Sequence, residues 1–330
     1  MLDAAIIGLG WWGRTITELL AASTKLRLVK AVDVDASARQ WAAARGLATA
    51  ASLEEALGDS AVRAVILATP HSFHTRQIAA AAAARKHVFC EKPLALRRSD
   101  AVASLAACQA AGVVLGVGHE RRFEPPMREL ARLARAGALG TLLQIEASFC
   151  QDKFLSLAAD NWRLSGSEAP AGPMTATGIH MLDLAIGLLG PAARAQAHVA
   201  TLGSNLANGD TLGALVTFQS GANLLLSALL ATPFAGRLMV YGNQGWAEVR
   251  DKAHPEAPEG WTLTLCRSGG RPETTDYPAF PAVRANLEAF ADAASGGAPY
   301  PIPPDEMLAT VAALEAIFTS ASSGRVEPVA

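Results

Sequence analysis

The chain has 330 residues, 51% of them hydrophobic and 18% charged, which is enough apolar material for two cores and excludes a disordered polymer. A formal net charge of −2 with no basic block argues against nucleic acid as a partner. Cys90, Cys108, Cys150 and Cys266 lie far apart without a C-x-x-C pair, so neither a metal site nor a disulfide framework is expected, and a reduced cytoplasm fits.

The opening "MLDAAIIGLG" runs straight into a strand pattern, without the basic flank and long apolar stretch of a signal peptide. The longest apolar run, "QIAAAAAA" at 77–84, is too short to span a membrane. Strands are predicted at 4–10, 26–35, 62–70, 87–93 (ending in a turn) and 113–119. Helices are predicted at 13–23, 36–46 (stopped by Gly46), 52–58, 74–86 and 98–112 (ended by Gly112). Ser52 and Glu55 have the spacing of a capping box. Such alternation implies right-handed crossovers and a parallel sheet covered on both faces.

The pattern changes after "RRFEPP" at 121–126. A helix is predicted to about Ala136, a long strand at 141–150, and a helix carrying His180. Strands follow at 195–202, 211–219, 222–232 and 237–242, some joined by the hairpin turns "SG" and "NQG". Helices at 281–295 and about 304–323, around the Pro-rich "GGAPYPIPP", close the chain. This reads as an α/β protein of two domains, 1–121 and 122–330. The second is α+β with a large, mostly antiparallel open sheet, and the last helix is free to pack back on the first domain.

"GLGWWG" at 8–13 follows a strand and opens a helix, so Gly8, Gly10 and Gly13 fit the dinucleotide-binding turn of a Rossmann domain. Gly8 permits the tight turn, Gly10 lets a pyrophosphate approach, and Gly13 lets helix and strand pack closely. Asp33, 20 residues beyond Gly13, sits where an acid binds the ribose hydroxyls and repels a 2′-phosphate. NAD is therefore the expected cofactor, with NADP possible because Arg39 is close by. Trp11 and Trp12 either shield the pyrophosphate or pack. His71 and His74, in a loop at a strand end, are expected as cofactor walls. His119 at the next strand end is expected to contact cofactor or substrate. Arg121 and Arg122 either attract an anionic substrate or tie the domains together. His87, His198 and His254 read as structural or exposed.

In "TATGIHMLD" at 175–183, residues three apart on a helix share a face, so Asp183 either orients the His180 imidazole or pairs with the sheet. The Thr177 hydroxyl either serves substrate or bonds the backbone.

At "EKPLAL", 91–96, the chain resembles the Gfo/Idh/MocA oxidoreductases, named for glucose–fructose oxidoreductase and inositol dehydrogenase. The resemblance covers nearly the whole chain through "GLGWWG", "ATPHSFH" (68–74), "KHVFCEKPLAL" (86–96), "ERRFEPP" (120–126) and "GIHMLDL" (178–184). It implies that Lys92 lies near nicotinamide and substrate. It implies that Glu91 and the turn of Thr69, Pro70, His71 and His74 contact the cofactor, and that His180 is the acid/base. It makes Trp162 and Arg163 of "NWRLSG" (161–166) substrate candidates. It also implies a homodimer or homotetramer formed through the second sheet. One departure matters: the family's aspartate four residues before the histidine is Ala176 here. The expected activity is hydride transfer between a nicotinamide and a secondary alcohol or carbonyl of a sugar, polyol or cyclic hydroxy compound. The alternatives are a reductase of a less polar carbonyl or imine, and a dinucleotide sensor without turnover.

Overall fold

The computed structural model describes residues 1–330. Short apolar runs at the start of the chain form β1 (Leu2–Ile7), β2 (Leu26–Val32), β3 (Ala48–Ala50), β4 (Ala64–Leu67), β5 (His87–Cys90) and β6 (Leu115–Val117). All pair in parallel, in the order β3-β2-β1-β4-β5-β6, so the order reverses between β1 and β4. All four residues of β4 are buried, as a strand covered on both faces requires. Between the strands run α1 (Trp11–Leu20), α2 (Ala36–Ala43), α3 (Leu53–Leu57), α4 (His74–Ala83) and α5 (Arg98–Ala111). The Ser52–Glu55 capping box forms, and Gly112 ends α5 in the left-handed conformation. The strand expected to reach residue 35 stops at Val32, because the Asp33 side chain there accepts the Asp35 N–H and turns the chain. The three-residue edge strand β3 has no apolar signal of its own and was not anticipated.

The second sheet contains β7 (Leu142–Cys150), β8 (Ala192–Ala200), β9 (Thr211–Phe218), β10 (Asn223–Leu229), β11 (Ala235–Gly242), β12 (Gly245–Asp251), β13 (Trp261–Arg267), β14 (Glu273–Tyr277) and β15 (Glu327–Pro328). Its order is β14-β13-β12-β11-β7-β10-β9-β8-β15, antiparallel throughout except for β7 beside β10. β9 and β10 alternate buried and exposed residues, the pattern of a sheet with one covered face. The covering core includes residues of α6 (Pro125–Arg135) and α7 (Ile179–Leu189). α7 is apolar nearly all round, and nine of its residues are buried.

The chain ends with α8 (Ala282–Ala294) and α9 (Pro304–Ser323). Residues 281–308 cluster with 1–120, and 309–330 with 121–280. The sequence reading had placed 122–330 in the second domain, with only the last helix free to pack back on the first. The difference lies in the apolar stripe of α8: Leu287, Phe290 and Ala291 join the core of the first sheet, with Phe290 edge-on to Phe89 at 5.6 Å. Gly116 on β6 makes room, since a Cβ there would lie 2.9 Å from the Phe89 ring and 3.0 Å from that of Phe290. No helix is long and apolar enough to cross a membrane.

Candidate active site

The glycine turn between β1 and α1 has the geometry its sequence requires. Gly8 has φ +94°, and a Cβ there would lie 2.7 Å from the Ala68 carbonyl oxygen. A Cβ on Gly13 would fall on the Gly8 carbonyl. A Cβ on Gly10 would meet nothing within 4 Å, so its Cα faces open space. Gly10 caps α1 without a side-chain bond, which leaves first-turn N–H groups and the positive dipole end for a phosphate. Beside it, Asp33 Oδ2 accepts the Leu9 N–H at 2.6 Å and Oδ1 accepts the Asp35 N–H at 2.9 Å. Leu9, Gly10, Trp11, Arg14, Asp33 and Asp35 help line a cavity of about 690 Å³. Arg39 donates to the carbonyls of Asp33 at 2.7 Å and Val34 at 2.9 Å, at the lip of the same end of β2. Trp11 is 52% exposed at the cavity, whereas Trp12 packs on the first core with its ring 5.4 Å away.

Two turns follow β4 and β5. Thr69 and Pro70 are half-buried, and the Thr69 hydroxyl donates to Gln77 Oε1 at 2.6 Å. His71 is half-buried with its ring 5.8 Å from that of His74. His74 itself, expected as a cofactor wall, has no exposed surface. Its ring lies under the turns, 2.9 Å from the Pro93 carbonyl and 3.1 Å from that of Thr69. Glu91 is buried; its Oε2 accepts the Lys92 N–H at 3.2 Å, and the carboxylate packs so closely on Gly118 that a Cβ would clash at 2.5 Å. Lys92 is half-buried, and His119 is buried at the end of β6.

In the second unit His180 lies in the first turn of α7, just after a π-helical turn, Met174–Gly178. Such turns are frequent at functional sites. Small residues permit it: a Cβ on Gly178 would already lie 3.0 Å from Met174 Sδ. His180 is 5% exposed, with its ring 6.0 Å from Phe149. Ala176 is half-buried. Thr177, left open between substrate and backbone, is buried, and its hydroxyl donates to the Pro173 carbonyl at 3.1 Å, the second alternative.

Asp183 and Arg122 are brought together. Arg122 Nε donates to Asp183 Oδ2 at 2.6 Å, and its NH2 donates to Oδ1 and to the Asp183 carbonyl, both at 2.8 Å. Gly187, one turn on, leaves the space the guanidinium occupies. The carboxylate expected to orient His180 thus has both oxygens on the arginine expected to reach substrate. Arg121 pairs with Asp251 at 2.7 Å and with Glu124, all three side chains buried and in the same unit. Burial opposes its charge, but the two carboxylates hold it above the usual guanidinium range. Trp162 and Arg163 are half-buried, the guanidinium 4.3 Å from the indole, and the Arg163 carbonyl accepts from Asn208 Nδ2 at 2.8 Å.

His254, read from the sequence as structural or exposed, is half-buried and hydrogen-bonded. Its ring lies 5.9 Å from Phe149 and 5.3 Å from Phe234. Nδ1 accepts the Glu256 N–H at 3.2 Å and faces Lys153 Nζ at 3.0 Å, so Nε2 carries the proton and donates to Gln151 Oε1 at 2.7 Å. Burial and the Lys153 charge push its pKa down to about 4. No local signal marks it, because Gln151 lies 103 residues away in the sequence.

A dinucleotide-binding parallel sheet, followed by an open-sheet unit with a buried histidine on its covering helix, defines an NAD(P)-dependent oxidoreductase acting on hydroxy or carbonyl compounds. A family model described as "Oxidoreductase family, NAD-binding Rossmann fold" matches residues 2–119, and the "GFO/IDH/MocA C-terminal domain" matches 127–248. The chain belongs to the Gfo/Idh/MocA oxidoreductase family. It is 33% identical over 232 residues to 1,5-anhydro-D-fructose reductase of Ensifer adhaerens, covering 69% of this chain and 68% of the relative. A solved structure from Desulfitobacterium hafniense, described as a candidate NADPH-dependent oxidoreductase, is 26% identical with a TM-score of 0.91, over 99% of this chain and 97% of that one. GenD2 from gentamicin A biosynthesis, solved with NAD, is 27% identical with a TM-score of 0.85, over 100% and 96%.

Proposed function

We propose that this enzyme moves a hydride between NAD and the secondary alcohol or carbonyl carbon of a sugar, polyol or cyclic hydroxy compound. The observation that carries the reading is the buried His180, held at the junction of a π-helical turn and α7 against the Phe149 ring. Bound nicotinamide would supply the hydride acceptor or donor. His180 takes the hydroxyl proton in oxidation and returns it in reduction, since an imidazole titrates near working pH. Lys92 hydrogen-bonds the substrate oxygen and stabilises the developing alkoxide. Asp183 is a positioning residue: clamped by Arg122, it fixes the first turn of α7 and so the ring of His180. A relative that reduces an anhydrosugar supports the substrate class.

NAD is proposed over NADP because the Asp33 carboxylate, anchored by two N–H groups, accepts ribose hydroxyls and repels a 2′-phosphate. A less polar carbonyl or imine is the second reading. It is favoured by the apolar Phe149 ring beside His180, itself packed on Phe234, and by Ala176 where the family resemblance leads one to expect a carboxylate. The chain is also proposed to assemble as a homodimer or homotetramer through the uncovered face of its second sheet. A panel of D-glucose, D-xylose, myo-inositol and a cyclic imine, each with NAD(H) and NADP(H), tests function and cofactor together. Turnover of a sugar or inositol with NAD is the expected result. Turnover confined to the imine with NADPH would replace this reading by the second.

A further inference from the structure

We propose that His74 is a positioning residue for Lys92, holding the turn that carries the lysine against the turn that follows β4. The proposal rests on the reading that Lys92 acts on substrate. His74 is the first residue of α4, and its fully buried ring spans two successive strand ends. Nδ1 lies 2.9 Å from the carbonyl of Pro93, just past β5, and Nε2 lies 3.1 Å from the carbonyl of Thr69, just past β4. Proline has no N–H, so the Pro93 carbonyl is the one backbone handle by which that residue can be hydrogen-bonded. On the other side of the lysine, its own N–H is taken by Glu91 Oε2 at 3.2 Å. Lys92 is therefore bracketed, by Glu91 before it and by His74 after it.

The second anchor is also doubled. Gln77, three residues along the same face of α4, accepts the Thr69 hydroxyl at 2.6 Å. α4 thus grips Thr69 by both carbonyl and side chain, and passes that fixed position to Pro93 through one ring. In either neutral tautomer one imidazole nitrogen donates, and in the imidazolium both do, so at least one turn is tied in every protonation state. An apolar ring of similar size fills the volume and ties neither.

The test compares wild type, His74→Ala, His74→Gln, Lys92→Ala and the His74→Ala/Lys92→Ala double variant, all with NAD⁺ bound. Acetylation of Lys92 by acetic anhydride is read by peptide mass spectrometry against Lys25 and Lys252, which are surface lysines paired with Asp292 and Asp276. With every variant saturated in NAD⁺, His74→Ala is expected to shift the Lys92 rate while leaving the two references unchanged. Turnover on the fastest compound of the panel is expected to fall about a hundredfold, the usual scale for a displacement of about 1 Å at a reacting centre. Placed on Lys92→Ala, the same change is expected to add nothing, whereas a general loosening of the fold would lower the residual rate further. His74→Gln keeps one amide donor and is expected to fall between. It carries the comparison if His74→Ala does not fold. An unchanged Lys92 acetylation rate in both His74 variants overturns the proposal. Normal turnover by Lys92→Ala instead overturns the role given to the lysine, and the acetylation result still decides whether His74 holds it.

Discussion

Asp183 is 1% exposed, and its two oxygens rest on Arg122, whose side chain is itself mostly buried. Removing one partner of such a pair leaves an uncompensated charge, so Arg122→Ala is expected to lower stability by roughly 3–5 kcal/mol in urea denaturation. A change below about 1 kcal/mol would mean that the pair is a loose surface contact. His254 gives a pH signature. Its pKa in the folded chain is about 4, against an ordinary 6.5. Between those values the unfolded chain binds a proton that the folded chain refuses, so stability falls as pH drops from about 6.5 to about 4. His254→Gln removes this titration and should flatten the dependence of Tm on pH in that window; an unaltered slope would show that the histidine titrates normally. Ala176→Asp would set a carboxylate near His180, where a negative charge raises an imidazole pKa. The limb of the pH–rate profile governed by His180 should then move to higher pH.

α8 lies far along the chain from the sheet whose core it completes. Phe290→Ala removes a ring packed on Phe89 and is expected to cost roughly 3–5 kcal/mol in denaturation of the unit that binds the dinucleotide. A cost near zero would show that α8 is an appendage. What was legible in the sequence follows from how local each signal is. β4 and α5 were readable because apolar period and end signals lie in one contiguous stretch, as were Ser52–Glu55 and Gly112. The glycine turn and Asp33 were readable because a dinucleotide imposes fixed spacing on one βαβ unit. β12, β13 and β14 were missed; in β14 four of five residues are exposed, so no apolar alternation marks it. Arg122–Asp183, 61 residues apart, and His254–Gln151 are pairings that only the tertiary fold creates. The burial of His74 escaped for the same reason, since its partners are backbone carbonyls of two separate turns.

At the scale of the whole molecule, Leu215 and Leu225 face each other across β9 and β10 and remain 39% and 42% exposed, with Leu143 on β7 also exposed. An apolar patch of this kind on a sheet face fits self-association. Sedimentation should find a dimer or tetramer, and Leu225→Glu should shift it toward monomer; a monomer at high concentration in the wild type would contradict this. In the proposed function His180 moves the substrate proton and Lys92 stabilises the alkoxide. The most direct measurement is the turnover of His180→Ala, Lys92→Ala and the double variant on one substrate, with NAD affinity determined for each. Each single variant is predicted to lose about a hundredfold or more in turnover, with NAD affinity little changed in His180→Ala, and the double should be scarcely worse than the poorer single. Near-normal turnover by His180→Ala beside an inactive Lys92→Ala would contradict the account and leave the proton to the lysine alone.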